Sequence, residues 1–237
     1  MYASRMQFLV MAICLLSSVL AQTKLRVMPL GDSITEITCW RAMVWDNLTT
    51  AGLADKIEFV GSSTTNSQNC KATAATWDHH HEGHSGFLAI DIANKDLTGW
   101  LASAKPDVVM FMLGTNDVNG RHSTADIMAA YTKMVTEMRA SNPNMKIIVD
   151  QVIPLPFSNT GIVAINNAIP DWITATSTTA SPIVMADCYT GFPSTDLRDG
   201  VHPNLAGDAI IASRLSPVLI TVIKSALGTT TAREFVA

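Results

Sequence analysis

Short apolar runs recur along the chain, and each is rich in leucine, methionine or β-branched residues. They occupy residues 25–30, 57–60, 108–113, 147–152 and 183–186. Apolar residues mostly follow one another in these runs instead of alternating with polar ones, which is typical of parallel strands covered on both faces. We therefore predict five buried β-strands.

Longer segments with helical patterns separate these strands. They span residues 34–51, 87–102, 123–140, 163–176 and 204–227. The alternation predicts a parallel sheet with helices on both faces. No internal repeat or Pro/Ser-rich linker interrupts it, so we predict a single α/β domain over residues 22–237 with a short, frayed C-terminal tail. The polar segment 61–85 exceeds the usual loop length, which favours a functional loop.

Composition agrees with one large core. The 237-residue chain is 48% hydrophobic and only 15% charged. Its formal net charge is −4, and no basic stripe is interleaved with aromatic residues. We therefore expect no nucleic-acid partner.

The first residues have the pattern of a secretory signal peptide. Arg5 precedes the largely apolar segment 8–20, and the small residues Val19 and Ala21 stand at −3 and −1 of a cleavage site after Ala21. A membrane anchor is the alternative, but this run is too short to span a bilayer comfortably. We predict a signal peptide over residues 1–21, an extracellular protein and no stable membrane association.

Secretion decides how the cysteines are interpreted. Cys14 would leave with the signal peptide, and Cys39, Cys70 and Cys188 would remain. Cys39 and Cys70 are the expected disulfide, because Cys70 lies in the irregular polar segment and oxidising compartments favour such bridges. Cys188 follows an apolar run and is expected to be a buried thiol.

Two further features concern modification and metals. Asn47 begins an Asn-Leu-Thr sequon for N-glycosylation, and an unmodified helical asparagine is the equal alternative. The adjacent histidines 79–81 point in different directions, whereas metal ligands must converge on one point. We therefore expect no metal and no cofactor.

Candidate chemistry begins with Ser33, which follows the first predicted strand and the turn-forming Gly31. A serine at this end of a strand can face a cleft as a nucleophile, and a helix N-cap is the alternative role. Asp199 and His202 are spaced so that one turn can bring the carboxylate to the imidazole, although a solvent-exposed Asp-Gly turn is the simpler alternative. Asn116 and the backbone N–H of Gly86 are candidate donors to an oxyanion.

Four blocks occur in order: Gly31-Asp32-Ser33-Ile34-Thr35-Glu36, Gly83-His84-Ser85-Gly86, Gly114-Thr115-Asn116-Asp117 and Asp199-Gly200-Val201-His202-Pro203-Asn204. Together they resemble the SGNH (GDSL-type) hydrolases, which are serine esterases. The resemblance implies a three-layer α/β/α sandwich around a flavodoxin-like five-stranded parallel sheet of order 2-1-3-4-5. It also implies catalysis by Ser33, His202 and Asp199, with an oxyanion hole formed by Ser33, Gly86 and Asn116.

Ser85 stands in a second serine motif, Gly83-His84-Ser85-Gly86-Phe87, which superficially suggests the nucleophile elbow of α/β-hydrolases. The final glycine of that motif is absent, and polar residues precede it where the elbow requires an apolar strand. Ser85 is therefore a poor nucleophile candidate. Asp117 is expected to make structural hydrogen bonds.

Residues 28–35 and 81–86 are similar to the fungal-type secreted acetyl xylan esterases of carbohydrate esterase family three. This resemblance implies a monomer that removes O-acetyl groups from acetylated xylan, or from a small acetyl ester, through an acyl-enzyme. Trp40, Trp77 and Trp172 are candidate sugar-stacking residues, with packing as their commoner role. The alternatives are a lipid-type esterase or lysophospholipase and an inactive carbohydrate-binding relative.

Overall fold

The computed structural model describes residues 24–228, so the predicted signal peptide and most of the C-terminal tail lie outside the described residues. Six parallel strands form one sheet: β1 (Leu25–Gly31), β2 (Ile57–Phe59), β3 (Glu82–Gly83), β4 (Val108–Met112), β5 (Lys146–Asp150) and β6 (Ile183–Ala186). The main order is β2-β1-β4-β5-β6, which is the predicted topology. The additional strand β3 pairs with the last two residues of β1, in the region predicted to be irregular.

Helices cover both faces of the sheet. They are α1 (Ser33–Glu36), α2 (Trp40–Thr50), α3 (Ala89–Asp91), α4 (Leu97–Ala104), α5 (Thr115–Asn119), α6 (Thr124–Ser141), α7 (Asn159–Thr176) and α8 (Leu205–Ala226). A π-helical turn, Ile92–Asp96, joins α3 to α4. Alternate strand residues enter opposite cores, because successive side chains of a strand point to opposite faces.

The sheet separates two hydrophobic cores. Met28 and Phe111 pack with α3, α4, α6 and α7 on one face. Val27 and Met110 pack with α2 and α8 on the other face. The predicted α/β/α sandwich is therefore confirmed. Burial of both strand faces explains why the strands are apolar at successive positions.

The segment predicted as one helix over 34–51 is two helices. The first ends at Glu36, and the backbone N–H of Cys39 donates to Oδ2 of buried Asp208 at 3.0 Å. This bond comes from α8, far along the chain, and local helical spacing carries no sign of it. The break turns α1 into a single turn that carries Ser33.

The amphipathic helix α8 is, among residues 24–228, the one helix long and apolar enough to cross a membrane. Half of the most apolar stretch of this helix is buried within the protein, and Leu215, Leu219 and Ile223 belong to the core. Packing against α2 and the sheet explains this apolar character, as it does for the core helices of soluble proteins.

The long segment after β2 is anchored to α2. A disulfide joins Cys39 and Cys70, as the sequence predicts, and Cys188 is a free, buried thiol. The buried Arg41 donates to the carbonyl oxygens of Thr65 and His79 at 3.0 and 2.9 Å. A bridge of this kind typically stabilises a fold by about 2–4 kcal/mol.

Asn47 lies exposed on α2, and its amide donates to Oγ of Ser216 at 2.9 Å. An amide has two N–H groups, so this bond leaves one free for a glycan. Glycosylation of Asn47 stays a prediction.

Candidate active site

Ser33 lies directly beyond the carboxyl end of β1, as the first residue of α1. Oδ1 of Asp32 accepts a hydrogen bond from the backbone N–H of Ile34 at 2.9 Å and so caps this turn. The N-cap is therefore Asp32, and the hydroxyl of Ser33 is free for another role. Ligands of open α/β sheets bind at this edge.

Ser33, His202 and Asp199 form one hydrogen-bonded series. Nε2 of His202 lies 2.8 Å from Oγ of Ser33. Nδ1 of His202 lies 2.7 Å from Oδ2 of Asp199. A proton on Nδ1, directed at the carboxylate, leaves Nε2 able to accept the proton of the hydroxyl. This is the geometry that activates a serine nucleophile.

The turn that holds Asp199 and His202 is fixed by its own backbone. Oδ1 of Asp199 accepts from the backbone N–H groups of Val201 and His202 at 3.0 and 2.8 Å, and Gly200 adopts a positive φ of 83°. Burial raises the pKa of Asp199, but hydrogen bonds from the backbone and side chain of His202 and from Val201 outweigh it, so the pKa falls to about 2. The carboxylate therefore stays ionised beside the imidazole at mildly acidic pH.

Asp32, next to the candidate nucleophile, has the opposite electrostatics. Burial raises its pKa to about 7, the hydrogen bond from Ile34 opposes this shift, and the charge of Asp117 adds to it. A carboxyl group with this pKa is mostly protonated at mildly acidic pH. At mildly acidic pH, Asp32 therefore caps α1 without carrying a full negative charge next to Ser33.

The two other predicted oxyanion residues belong to neighbouring segments. Gly86 is exposed and adopts a positive φ of 82°, which favours glycine at this position. Asn116 lies on α5, a short helix that the sequence analysis missed, and its Nδ2 donates to the carbonyl oxygen of Phe87 at 2.9 Å. One of the two N–H groups of the amide remains as a donor after this bond.

Asp117 fixes the segment that follows Gly86. Its carboxylate accepts from the backbone N–H groups of Ala89 and Ile90 at 2.8 and 3.2 Å, which are the first N–H groups of α3. Burial raises the pKa of Asp117, and these bonds oppose the shift. These are the structural hydrogen bonds expected of this residue.

Ser85 makes no triad-like contact. Its hydroxyl and its backbone N–H both donate to Oε2 of Glu36, at 2.5 and 2.7 Å. Glu36 ends the first sequence block, but the sequence gives no sign of this contact, because Ser85 lies 49 residues away.

The histidines near the start of β3 bind separate partners. His80 pairs with Asp78 at 2.7 Å, and the ring of His79 lies 4.1 Å from that of Trp77. His81 is fully buried, and burial, followed by the charge of Arg41, lowers its pKa to about 3. A neutral buried His81 serves the structure of the loop.

The tryptophans proposed as sugar-stacking residues are mostly packing residues. Trp40 and Trp172 are buried, and Trp77 packs partly buried against the second core. The large apolar side chains that stand out as exposed are Phe157, at 61%, and Leu205, at 64%. Leu205 follows the turn of Asp199 and His202 in sequence, and Phe157 lies near it in space, since a Cβ on Gly200 would lie 4.0 Å from the ring of Phe157.

Comparison with known proteins places this geometry in a family. The profile of the GDSL-like Lipase/Acylhydrolase family matches residues 30–210, which include all the predicted site residues. A multidomain esterase of Ruminococcus flavefaciens is 26% identical over an alignment 209 residues long that covers 77% of this chain. The chain spans 27% of the length of that relative.

Solved structures agree with this assignment. An acetyl esterase mutant crystallised with acetate ion is 50% identical, with a TM-score of 0.83 over 85% of this chain and 99% of the other. A carbohydrate esterase of family 3 from Talaromyces cellulolyticus is also 50% identical, with a TM-score of 0.82 and the same coverage. A family 3 carbohydrate esterase of Clostridium thermocellum is 25% identical, with a TM-score of 0.73 over 86% and 98% of the two chains. The chain therefore belongs to the GDSL-like lipase/acylhydrolase family, the SGNH hydrolases.

Proposed function

We propose that this protein is a secreted serine esterase that removes O-acetyl groups from a plant cell-wall polysaccharide, with acetylated xylan as its substrate. The observation that carries the proposal is the hydrogen-bonded series Ser33, His202 and Asp199 at the carboxyl edge of the sheet. Fifty percent identity to an acetyl esterase and to a family 3 carbohydrate esterase supports the acetyl and carbohydrate parts.

Acylation begins at Ser33. Its Oγ attacks the acetyl carbonyl carbon while Nε2 of His202 takes the hydroxyl proton, and Asp199 stabilises the imidazolium that forms. The developing oxyanion is stabilised by the backbone N–H groups of Ser33 and Gly86 and by the amide of Asn116. When the tetrahedral intermediate collapses, the bond to the sugar oxygen breaks and His202 returns its proton to that oxygen.

Deacylation repeats the sequence with water. His202 removes a proton from water, the resulting hydroxide attacks the acetyl-Ser33 ester, and the same donors stabilise the second oxyanion. The Ser33 oxygen leaves and regains a proton from His202, and acetate is released. The protein's own residues suffice for every proton transfer of this cycle.

Secretion and a monomeric state are parts of the proposal. The signal-like sequence of residues 1–21 supports secretion, and the disulfide between Cys39 and Cys70 fits an oxidising compartment. Detection of a mature chain beginning at Gln22 in the culture medium of an expressing host tests the first part. Sedimentation of the purified chain tests the second.

A lipid-type esterase is the second candidate, because Phe157 exposes apolar surface beside Gly200 of the catalytic turn and Leu205 exposes it three residues after His202. Under the carbohydrate proposal, activity toward chromogenic esters is highest for acetyl and falls steeply by octanoyl, since a small acyl site rejects bulk by steric clash. A lipid esterase gains apolar contact with each added methylene. A kcat/KM that rises from acetyl to octanoyl contradicts the carbohydrate proposal while leaving the serine mechanism in place.

Phe157 gives a separate test on the polymer. If its exposed ring stacks on the main-chain sugars, Phe157→Ala lowers kcat/KM on acetylated xylan by roughly 2- to 10-fold. The same variant is expected to leave hydrolysis of 4-nitrophenyl acetate nearly unchanged, because this small ester has no main-chain sugars for the ring to stack on. Leu205→Ala is the matched control, since it removes an equally exposed side chain that has no ring. Equal losses on both substrates contradict a role in polymer binding.

A third measurement separates an enzyme from an inactive carbohydrate-binding relative. The intact series of Ser33, His202 and Asp199 favours activity, because a binding protein has no use for an activated nucleophile. Acetate release from acetylated xylan, measured beside acetylated chitin oligomers and pectin, identifies the polymer. Release from none of these, together with no hydrolysis of a chromogenic acetyl ester, overturns the proposed function.

A further inference from the structure

Glu36 links the helical turn of the nucleophile to the loop of the oxyanion donor. It is the last residue of α1, three positions after Ser33. One oxygen of its carboxylate, Oε2, accepts both the backbone N–H of Ser85 at 2.7 Å and the hydroxyl of Ser85 at 2.5 Å. Ser85 directly precedes Gly86, so its position decides where the peptide group that carries the Gly86 N–H points.

Contacts from outside the loop add to its own turn, in which the backbone N–H of Phe87 donates to the carbonyl oxygen of His84 at 3.2 Å. Ser85 and Gly86 are both exposed, and Gly86 has no side chain with which to hold its own backbone. On the far side of Gly86, the carbonyl oxygen of Phe87 is held by the amide of Asn116. On the near side, the carboxylate of Glu36 holds Ser85, and the backbone N–H of His84 donates to the carbonyl oxygen of Gly31 at 3.0 Å. An exposed glycine that must present its N–H to a transition state is therefore fixed from both directions.

Glu36 is itself rigidly placed. Its backbone N–H donates to the carbonyl oxygen of Asp32 at 3.0 Å, and its carbonyl oxygen accepts from Nη2 of Arg41 at 3.2 Å. Gly83 packs so closely on this turn that an added Cβ would lie 2.7 Å from the nitrogen of Glu36. The path from Ser33 through Glu36 to Gly86 is therefore short and stiff.

We infer that Glu36 is a positioning residue, which sets the distance between the Ser33 nucleophile and the Gly86 oxyanion donor by hydrogen bonding to Ser85. The inference rests on the proposed esterase function and adds to it a residue outside the triad and the oxyanion hole. Its effect is transmitted through Ser85, and the Glu36 carboxylate takes no part in the proton transfers.

A competing role for Glu36 is electrostatic. Burial lowers the pKa of Arg41 to about 10, and the negative charge of Glu36 opposes that shift. Arg41 in turn holds the carbonyl oxygens of Thr65 and His79. Loss of the Glu36 charge would then act on the long loop through Arg41. Glutamine separates the two roles, because its amide oxygen accepts both bonds from Ser85 but carries no charge.

The experiment compares Glu36→Ala, Glu36→Gln and Ser85→Ala in the full mature chain, with 4-nitrophenyl acetate as substrate. Glu36→Ala is expected to lower kcat about 10- to 100-fold with KM nearly unchanged, because a displaced donor weakens mainly the transition state. Glu36→Gln retains most of kcat. Ser85→Ala, which keeps only the backbone bond, gives an intermediate loss. Glu58→Ala is the control and should keep full activity. Glu58 forms a surface ion pair with Arg26, which lies at the end of β1 opposite to Ser33.

A second measurement does not depend on activity. The backbone amide of Gly86 is followed by NMR relaxation or hydrogen exchange in each variant, and its mobility should rise in Glu36→Ala but not in Glu36→Gln. If the wild-type chain fails to hydrolyse the ester, the proposed function fails, and the mobility of Gly86 still tests the role of Glu36.

Three results overturn the inference. The first is a Glu36→Gln variant as impaired as Glu36→Ala, which assigns the effect to the charge near Arg41. The second is a Glu36→Ala variant with unchanged kcat and unchanged mobility of Gly86. The third is a rise in KM with kcat preserved. If Glu36→Ala does not fold, Glu36→Gln and Ser85→Ala carry the same comparison.

Discussion

Replacing Ser33 with alanine is expected to abolish ester hydrolysis and leave the fold intact. The hydroxyl is the nucleophile, and no other group of the site replaces it, so kcat should fall roughly 10⁴- to 10⁶-fold. The substitution removes one oxygen atom, whose hydrogen bond is to His202 at 2.8 Å. The helix cap at Asp32 and both cores stay in place, so the circular dichroism spectrum and the melting temperature should match those of the wild type.

Chemical labelling gives the matching positive result. A sulfonyl fluoride or organophosphate should modify Ser33, because His202 activates this hydroxyl. Ser85 donates its hydroxyl to Glu36 and should remain unlabelled. Peptide mapping separates the two serines. Retained activity in a folded Ser33→Ala protein, or a label on Ser85, contradicts the assignment of the nucleophile.

The sequence predicts the sheet well because the information is local. Each buried strand is a short apolar run, and the alternation of strands with helices limits the topology to a few possibilities. The structure confirms the predicted strand order, with β6 at the predicted bounds. The predicted disulfide between Cys39 and Cys70 is also confirmed. It could be predicted because the few cysteines allow few pairings.

The missed elements depend on contacts between distant residues. The break between α1 and α2 involves Asp208, 169 positions from Cys39. Strand β3 has two residues and exists only by pairing with Leu30 and Gly31 of β1. Neither the helix break nor β3 has a periodic pattern of its own, so the pattern of neighbouring residues cannot predict them.

The residues of the site also fall into those that the sequence predicts and those that only the fold reveals. Ser33, Gly86, Asn116, Asp199 and His202 stand in recognisable blocks, and the structure brings Ser33, His202 and Asp199 into hydrogen-bond contact. Glu36 ends the first block, but the sequence assigns no role to it, and Phe157 lies outside the blocks. Glu36 matters through a bond across 49 residues, and Phe157 through its exposure beside Gly200. Such residues are found from the fold, because only the fold shows what surrounds them.

Asn116→Ala carries the second large effect. If the amide donates to the oxyanion, kcat should fall roughly 10²- to 10³-fold while KM changes little, because that bond forms mainly in the transition state. The amide has a second task, since Nδ2 also donates to the carbonyl oxygen of Phe87, next to Gly86. Alanine therefore removes a direct donor and also loosens the neighbouring one. The expected loss accordingly exceeds that of Glu36→Ala, which affects Gly86 alone.

Asn119→Ala is the matched control for this variant, because Asn119 is an exposed asparagine at the end of the same short helix. It should retain full activity. Asn116→Asp refines the test, since aspartate preserves the size of the side chain but, when ionised, replaces the donor with a negative charge. It should be at least as impaired as Asn116→Ala, because a carboxylate repels the oxyanion. An Asn116→Ala protein that keeps kcat, or loses activity only through KM, would show that the oxyanion is stabilised without this amide.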